Sequence, residues 1–98
     1  MSQTIDLTLI GKAGCHLCDE ARVTINAVVG DFRAQNTGVA RHVQVNLVEH
    51  DILVDEELAD KYREEIPVLL INGKVHNYWR IDPERLRGAL DELANWSL

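Results

Sequence analysis

The chain has 98 residues, of which 46% are hydrophobic and 27% are charged. This length and composition predict one domain spanning residues 1–98, with enough apolar residues to bury a core without a disulfide. The formal net charge of −6 argues against a nucleic-acid partner, which is usually met by a basic surface. We find no apolar stretch of membrane-spanning length and no signal-peptide pattern. We therefore expect a cytoplasmic protein that acts as a monomer, without nucleic-acid or membrane partners.

The first third of the chain changes from strand periodicity to helix periodicity. Apolar residues alternate with polar ones over residues 5–9, which predicts a first strand that Gly11 ends. From His16 onward the apolar spacing becomes that of one helix face. This helix stops at Gly30 or runs on towards Gly38, where a glycine would fit just past its C-terminus.

The middle of the chain predicts two more strands around a short helix, followed by a hairpin. Alternation over residues 43–47 indicates a second strand with one exposed face, and residues 51–62 read as a short helix with acids at its start. Residues 67–71 and 74–78 then flank Asn72-Gly73, a pair that supplies the positive φ angles of a two-residue hairpin turn.

The last element is a helix that starts at Asp82-Pro83, because a capping carboxylate followed by proline is a strong helix start. The predicted order is β-α-β-α-β-β-α. A strand–helix–strand unit forms a right-handed parallel pair. The hairpin and the last helix then complete an α/β fold, a four-stranded mixed sheet with helices on both faces.

The two cysteines, Cys15 and Cys18, form a C-x-x-C motif between the first strand and the first helix. The unpaired N–H groups and the positive dipole end of a helix N-terminus stabilise a thiolate, so Cys15 is the candidate nucleophile. Lys12 adds a positive charge nearby, whereas Asp19 and Glu20 act against the thiolate. Cys18 lies one turn further, should be more buried, and fits the thiol that resolves a mixed disulfide.

A C-x-x-C after the first strand, together with a proline that opens the third, resembles the thioredoxin fold. Within it the chain is most similar to glutaredoxins and short glutaredoxin-like proteins, from Ile5 to about Leu93. The resemblance implies a thiol–disulfide oxidoreductase. It also implies that the Ile66–Pro67 bond is cis and faces the cysteines, and that the backbone of Ile66 pairs with a substrate strand. On the residues alone, a proline at the first position of a strand would be trans.

The resemblance implies glutathione as a possible substrate, because Lys12 matches the glutaredoxin lysine that contacts the glycine carboxylate of glutathione. On the residues alone it is equally a solvated surface lysine. The chain departs from glutaredoxins in two places: residues 75–82 lack the Gly-Gly pair and following acid that hold the γ-glutamyl end, and His16-Leu17 replaces the usual Pro-Tyr. Glutathione and a disulfide-containing protein are therefore both candidate substrates, the reductase partner is open, and no tightly bound cofactor or metal is expected.

Three interpretations of the motif compete. A thiol–disulfide oxidoreductase uses both cysteines, a small metal carrier binds a metal through them, and a thioredoxin-fold binding module has lost turnover. Small metal carriers have a βαββαβ order of elements and a methionine just ahead of the cysteine pair. This chain has Ala13-Gly14 at that place, which argues against a metal carrier. We favour the oxidoreductase.

Three aromatic or histidine side chains are expected to have no direct part in the reaction. We expect His16 to face solvent, and Trp79 to close the core edge against the last helix rather than to pack on a partner. Trp96 is expected at the core edge as well.

Overall fold

The order of elements agrees with the predicted β-α-β-α-β-β-α pattern in a computed structural model that describes residues 2–35 and 42–96. The elements along this part of the chain are β1 (Ser2–Gly11), α1 (His16–Gln35), β2 (His42–Asp51), α2 (Glu56–Tyr62), β3 (Val68–Ile71), β4 (Lys74–Tyr78) and α3 (Pro83–Trp96).

The four strands form one mixed sheet in the order β2-β1-β3-β4. Strand β1 runs parallel to β2 and antiparallel to β3, and β3 pairs with β4 as a hairpin. At the end of β1, Gly11 lies opposite Asp51 of β2 and Ile10 lies opposite Val68 of β3. Because β3 begins where β1 ends, the cysteine loop and the Ile66–Pro67 step meet at the same end of the sheet.

Helices cover both faces of the sheet, as the fold class predicted. Helices α1 and α3 contact one another and pack on one face of the sheet. There Phe32 and Leu90 are fully buried in the same core as Leu7 of β1. Helix α2 packs on the other face, where Tyr62 contacts the smaller core around Ile10. The chain belongs to the thioredoxin-fold class by this topology. None of the described helices is long and apolar enough to cross a membrane.

Local chemistry explains why the hairpin and the last helix form where the sequence predicted them. Asn72 and Gly73 have φ angles of 51° and 84°, which a tight two-residue turn requires. The carboxylate of Asp82 accepts hydrogen bonds from the backbone N–H groups of Glu84 and Arg85, at 3.0 Å and 3.2 Å. Asp82 is therefore the N-cap of α3, as expected.

The prediction of α2 was wrong at its start, which lies at Glu56 rather than at residue 51. Asp51 is the last residue of β2, and its carboxylate accepts a hydrogen bond from the N–H of Leu53 at 2.8 Å. This local bond bends the chain into a turn instead of a helix. Asp55 then caps the helix by accepting a hydrogen bond from the N–H of Leu58 at 3.2 Å.

Strands β1 and β2 are longer than predicted, each with ten residues, because their parallel pairing extends past the alternating apolar segments. Helix α1 begins at His16 as predicted and passes through Gly30 to Gln35, so Gly30 is not its end. Gly38, the other proposed end, and the side chain of Trp96 lie outside the described residues.

Candidate active site

Cys15 is the residue directly before α1, and its side chain caps the helix. The sulfur of Cys15 accepts a hydrogen bond from the backbone N–H of Cys18 at 3.2 Å, and its carbonyl accepts one from the N–H of Asp19 at 3.1 Å. The sulfur thus occupies the place of an N-cap oxygen, where first-turn N–H groups favour negative charge. Cys15 is half-buried, in contrast to the buried Cys18.

Cys18 has the opposite environment, because its side chain is only 1% exposed. Burial raises the pKa of the Cys18 thiol to about 11, and the hydrogen bond between the two cysteine side chains acts in the same direction. The backbone N–H of Lys12 acts against this shift by donating a hydrogen bond to the Cys18 sulfur. Cys18 therefore keeps its proton at neutral pH while Cys15 faces the surface. Both cysteines are free thiols.

Gly11 is a site residue that the sequence analysis treated only as the end of a strand. It is buried, and a Cβ atom at this position would lie 2.8 Å from the sulfur of Cys18 and 3.1 Å from its Cβ. Only a residue without a side chain allows Cys18 to pack this closely on the end of β1. The sequence signal was a glycine at a strand end, which does not reveal its tertiary neighbour.

The Ile66–Pro67 peptide bond is cis, as the resemblance implied, and Pro67 is fully buried. Ile66 is half-buried and packs on the core beneath α2. The carbonyl of Pro67 accepts a hydrogen bond of 2.7 Å from the backbone N–H of Trp79. The loop after β4 is thus attached directly to the proline step. Whether Ile66 pairs with a substrate strand stays a prediction.

Trp79 does not close the core edge, so that expectation was wrong. Its side chain is 56% exposed, and its backbone has a φ of 62° that turns the loop outward. The indole Nε1–H donates a hydrogen bond of 3.1 Å to the carbonyl of Glu64. These contacts place an exposed aromatic ring beside the proline step. Packing of this ring on a partner stays a prediction.

Lys12 lies on the other side of the site from Trp79. It lines a cleft of 230 Å³ that also contains Cys18, together with Arg22 and Glu49, which form an ion pair. Its side chain is exposed. Its backbone N–H contacts Cys18, so the structure brings Lys12 to the cysteine pair. Contact with a glutathione carboxylate stays a prediction.

His16, inside the motif, faces solvent as expected. Its side chain is 87% exposed, and its Nε2 atom lies 3.3 Å from a carboxylate oxygen of Glu20 on the next turn. Across residues 2–35 and 42–96, no group of three or more histidine, cysteine or acidic side chains converges as a metal site would require.

Comparison with known proteins supports the resemblance. Residues 6–91 match the family model "Glutaredoxin-like domain (DUF836)". A structural-genomics target protein, XcR50 from X. campestris, is 28% identical with a TM-score of 0.62, over 87% of this chain and 95% of that one. No curated protein matches the sequence.

Two thioredoxins share the fold at lower identity. Mitochondrial thioredoxin 3 from Saccharomyces cerevisiae, in its oxidised form, is 12% identical with a TM-score of 0.58, over 90% of this chain and 77% of that one. Thioredoxin-1 (Deadhead) from Drosophila melanogaster is 16% identical with a TM-score of 0.57, over 92% and 81% of the two chains. With its fold, its cysteine pair and the family match over most of its length, the chain belongs to the glutaredoxin-like domain family DUF836.

Proposed function

We propose that the protein is a thiol–disulfide oxidoreductase that reduces protein disulfides or glutathione mixed disulfides through Cys15 and Cys18. The observation that carries this proposal is the asymmetry of the pair. Cys15 is only half-buried and its sulfur accepts a hydrogen bond from the N–H of Cys18 at 3.2 Å, whereas Cys18 is buried with a pKa raised to about 11. One sulfur is prepared for attack, and the other holds its proton until a mixed disulfide exists.

The reaction has two steps in which atoms and electrons balance. The Cys15 thiolate attacks one sulfur of a substrate disulfide, a new S–S bond forms, and the other substrate sulfur leaves as a thiolate that takes up a proton. Cys18 then loses its proton and attacks the Cys15 sulfur, which releases the second substrate thiol. Two electrons have passed to the substrate, and the protein holds a Cys15–Cys18 disulfide. An external thiol donor must return it to the dithiol.

The family match and the shared fold of two thioredoxins support redox chemistry over the two alternatives. We place the activity in the cytoplasm, because a dithiol that works as a reductant needs a reducing compartment, and in a monomer. Glutathione and a protein reductase remain the two candidate electron donors.

A side-by-side turnover assay tests the proposal and separates the donors. One arm reduces a glutathione mixed disulfide with glutathione and glutathione reductase, and the other reduces insulin with thioredoxin reductase. We expect turnover in at least one arm and none with Cys15→Ser. Activity in the first arm would assign glutathione as co-substrate, and activity only in the second would assign a thioredoxin-like electron path. The absence of turnover in both arms would contradict an oxidoreductase that takes its electrons from glutathione or from thioredoxin reductase.

A further inference from the structure

An open groove of 480 Å³ lies between the first turns of α1 and the 79–81 segment. We call it the Trp79 groove. Three of its lining residues are apolar and exposed: Leu17 is 41%, Val23 is 70% and Trp79 is 56% exposed. Leu17 lies two residues after Cys15, so the groove begins within the first turn that follows the nucleophile. Large exposed apolar side chains that line one groove make it a candidate interaction surface.

Trp79 is held rigidly although it is exposed. Its backbone N–H bonds to the carbonyl of Pro67 at 2.7 Å, and its indole N–H bonds to the carbonyl of Glu64 at 3.1 Å. A residue whose backbone and ring each make a hydrogen bond loses little conformational freedom when a partner packs on it. Tryptophan is also among the side chains that contribute most at protein interfaces. Trp79 therefore has the properties of an anchor for an apolar side chain.

The charges along the groove favour a cationic occupant. Asp19 and Glu20 line it, and Arg80 is the cation among its lining residues. The two acidic side chains are 60% and 55% exposed, and their contacts with Arg22 and His16 lie at the surface, where ion pairs contribute little. The whole chain carries a net charge of −6, which attracts basic partners and repels anionic ones. Glutathione, with two carboxylates and one amine, is anionic at neutral pH.

We propose that the Trp79 groove binds an extended segment of a cationic protein, whose disulfide cysteine is flanked by an apolar residue that packs on Trp79 and by basic residues that face Asp19 and Glu20. This inference rests on the proposed function and names its substrate class. The groove selects a protein disulfide over glutathione by charge and by apolar contact.

Single-turnover kinetics with short peptides test this selection without any reductase. Each peptide carries one cysteine as a mixed disulfide with 2-thiopyridine, and the protein is reduced Cys18→Ser, so that the reaction stops after the first step. The Cys15 thiolate attacks the peptide sulfur, the Cys15–peptide bond forms, and 2-thiopyridone leaves with its characteristic absorbance. The first peptide has leucine with two lysines, and two others change one feature each: leucine with two glutamates, and serine with two lysines. The fourth probe is glutathione, as the same mixed disulfide.

At low ionic strength we expect the leucine–lysine peptide to react about tenfold faster than the leucine–glutamate peptide and than the glutathione probe, which is the lower range of electrostatic steering. The double change Asp19→Asn with Glu20→Gln should lower the lysine-to-glutamate rate ratio at least about threefold, because rim charges act mainly on association. The matched control is Asp31→Asn with Glu92→Gln, which removes the same two charges far from Cys15 and should leave the ratio near the wild-type value. The lysine-to-glutamate rate ratio is compared because a substitution that changes the intrinsic reactivity of Cys15 changes both rates by the same factor.

The apolar contact is tested by Trp79. Trp79→Ala should remove the rate advantage of the leucine peptide over the serine peptide, whereas Trp79→Phe should keep most of it because the ring remains. A lysine-to-glutamate ratio near one in the parent protein, or a ratio that Asp19 and Glu20 do not change, would overturn the inference. A glutathione probe as fast as the lysine peptide would also overturn it.

The same experiment separates this inference from the proposed function. If all probes react at equal rates through Cys15, the groove selects nothing and the oxidoreductase proposal stands. If no probe reacts faster with Cys15 than with free cysteine, both fail. A rate constant that falls as protein concentration rises would assign the groove to a second copy of this chain and overturn the cationic partner.

Discussion

Gly11→Ala is the substitution whose effect the structure specifies most closely. The added Cβ would lie 2.8 Å from the sulfur of Cys18 and 3.1 Å from its Cβ, well inside normal contact distance. The backbone of Gly11 is not left-handed, so alanine fits the chain conformation and the cost comes from the contact alone. Overpacking of this kind costs about 1–3 kcal/mol. We therefore expect the reduced protein to melt about 5–20 °C lower than wild type.

Two other glycines provide controls in which substitution by alanine should raise the stability instead of lowering it. Gly30 in α1 and Gly88 in α3 are helical, and a Cβ at either position would meet no atom within 4 Å. Alanine at these positions should stabilise the protein by about 0.5–1 kcal/mol, because glycine is a poor helix former. Urea or thermal unfolding with thiol reductant present measures all three variants on the same scale.

A double-mutant cycle shows whether the sulfur of Cys18 is the cause. Cys18→Ala removes the closer of the two contacts, so Gly11→Ala should cost less in that background than in wild type. The reasoning is refuted if Gly11→Ala is as stable as wild type, or if its cost is the same with and without the sulfur.

Three further changes test other parts of the structure. Burial raises the pKa of Cys18 from 9.0 to about 11, so its thiol stabilises the fold below pH 9 by about 2–3 kcal/mol and loses this contribution as pH rises to 11. The stability difference between reduced wild type and Cys18→Ala should shrink over that range, and parallel curves from urea unfolding would contradict it. Asp82→Ala should lower the stability by about 1 kcal/mol through loss of the α3 cap, with Asp82→Asn close to wild type in thermal melts monitored by circular dichroism. Burial, and then the charge of Arg85, lower the pKa of His76 below 6.5 against the opposing charge of Asp82, so stability should fall as pH decreases from 6.5. His76→Gln should flatten that acid limb of the stability profile, and an unchanged limb would exclude His76 as its origin.

The features that the sequence predicted well are those set by neighbouring residues. The Asn72-Gly73 turn needs only two residues that accept positive φ, and the start of α3 needs only a capping carboxylate before a proline. The start of α1 and the asymmetric burial of Cys15 and Cys18 follow from one helix start and one turn of spacing. The topology followed from the order of these elements.

Two features that the sequence did not predict, the role of Gly11 and the exposure of Trp79, depend on contacts outside their own elements. Gly11 is set by contact with Cys18 across the active-site loop. The exposure of Trp79 is set by the carbonyls of Pro67 and Glu64, which lie 12 and 15 residues earlier. The start of α2 was misjudged for a local reason, because the carboxylate of Asp51 can serve a turn as well as a helix.

Trapping of the mixed disulfide tests most directly whether Cys15 attacks and Cys18 resolves. Each single variant, Cys15→Ser and Cys18→Ser, is reduced, mixed with excess insulin, quenched in acid and weighed by non-reducing mass spectrometry. The account predicts that Cys18→Ser accumulates a disulfide adduct with insulin through Cys15, and that Cys15→Ser does not. An adduct that forms on Cys15→Ser but not on Cys18→Ser would contradict the assignment of the two roles.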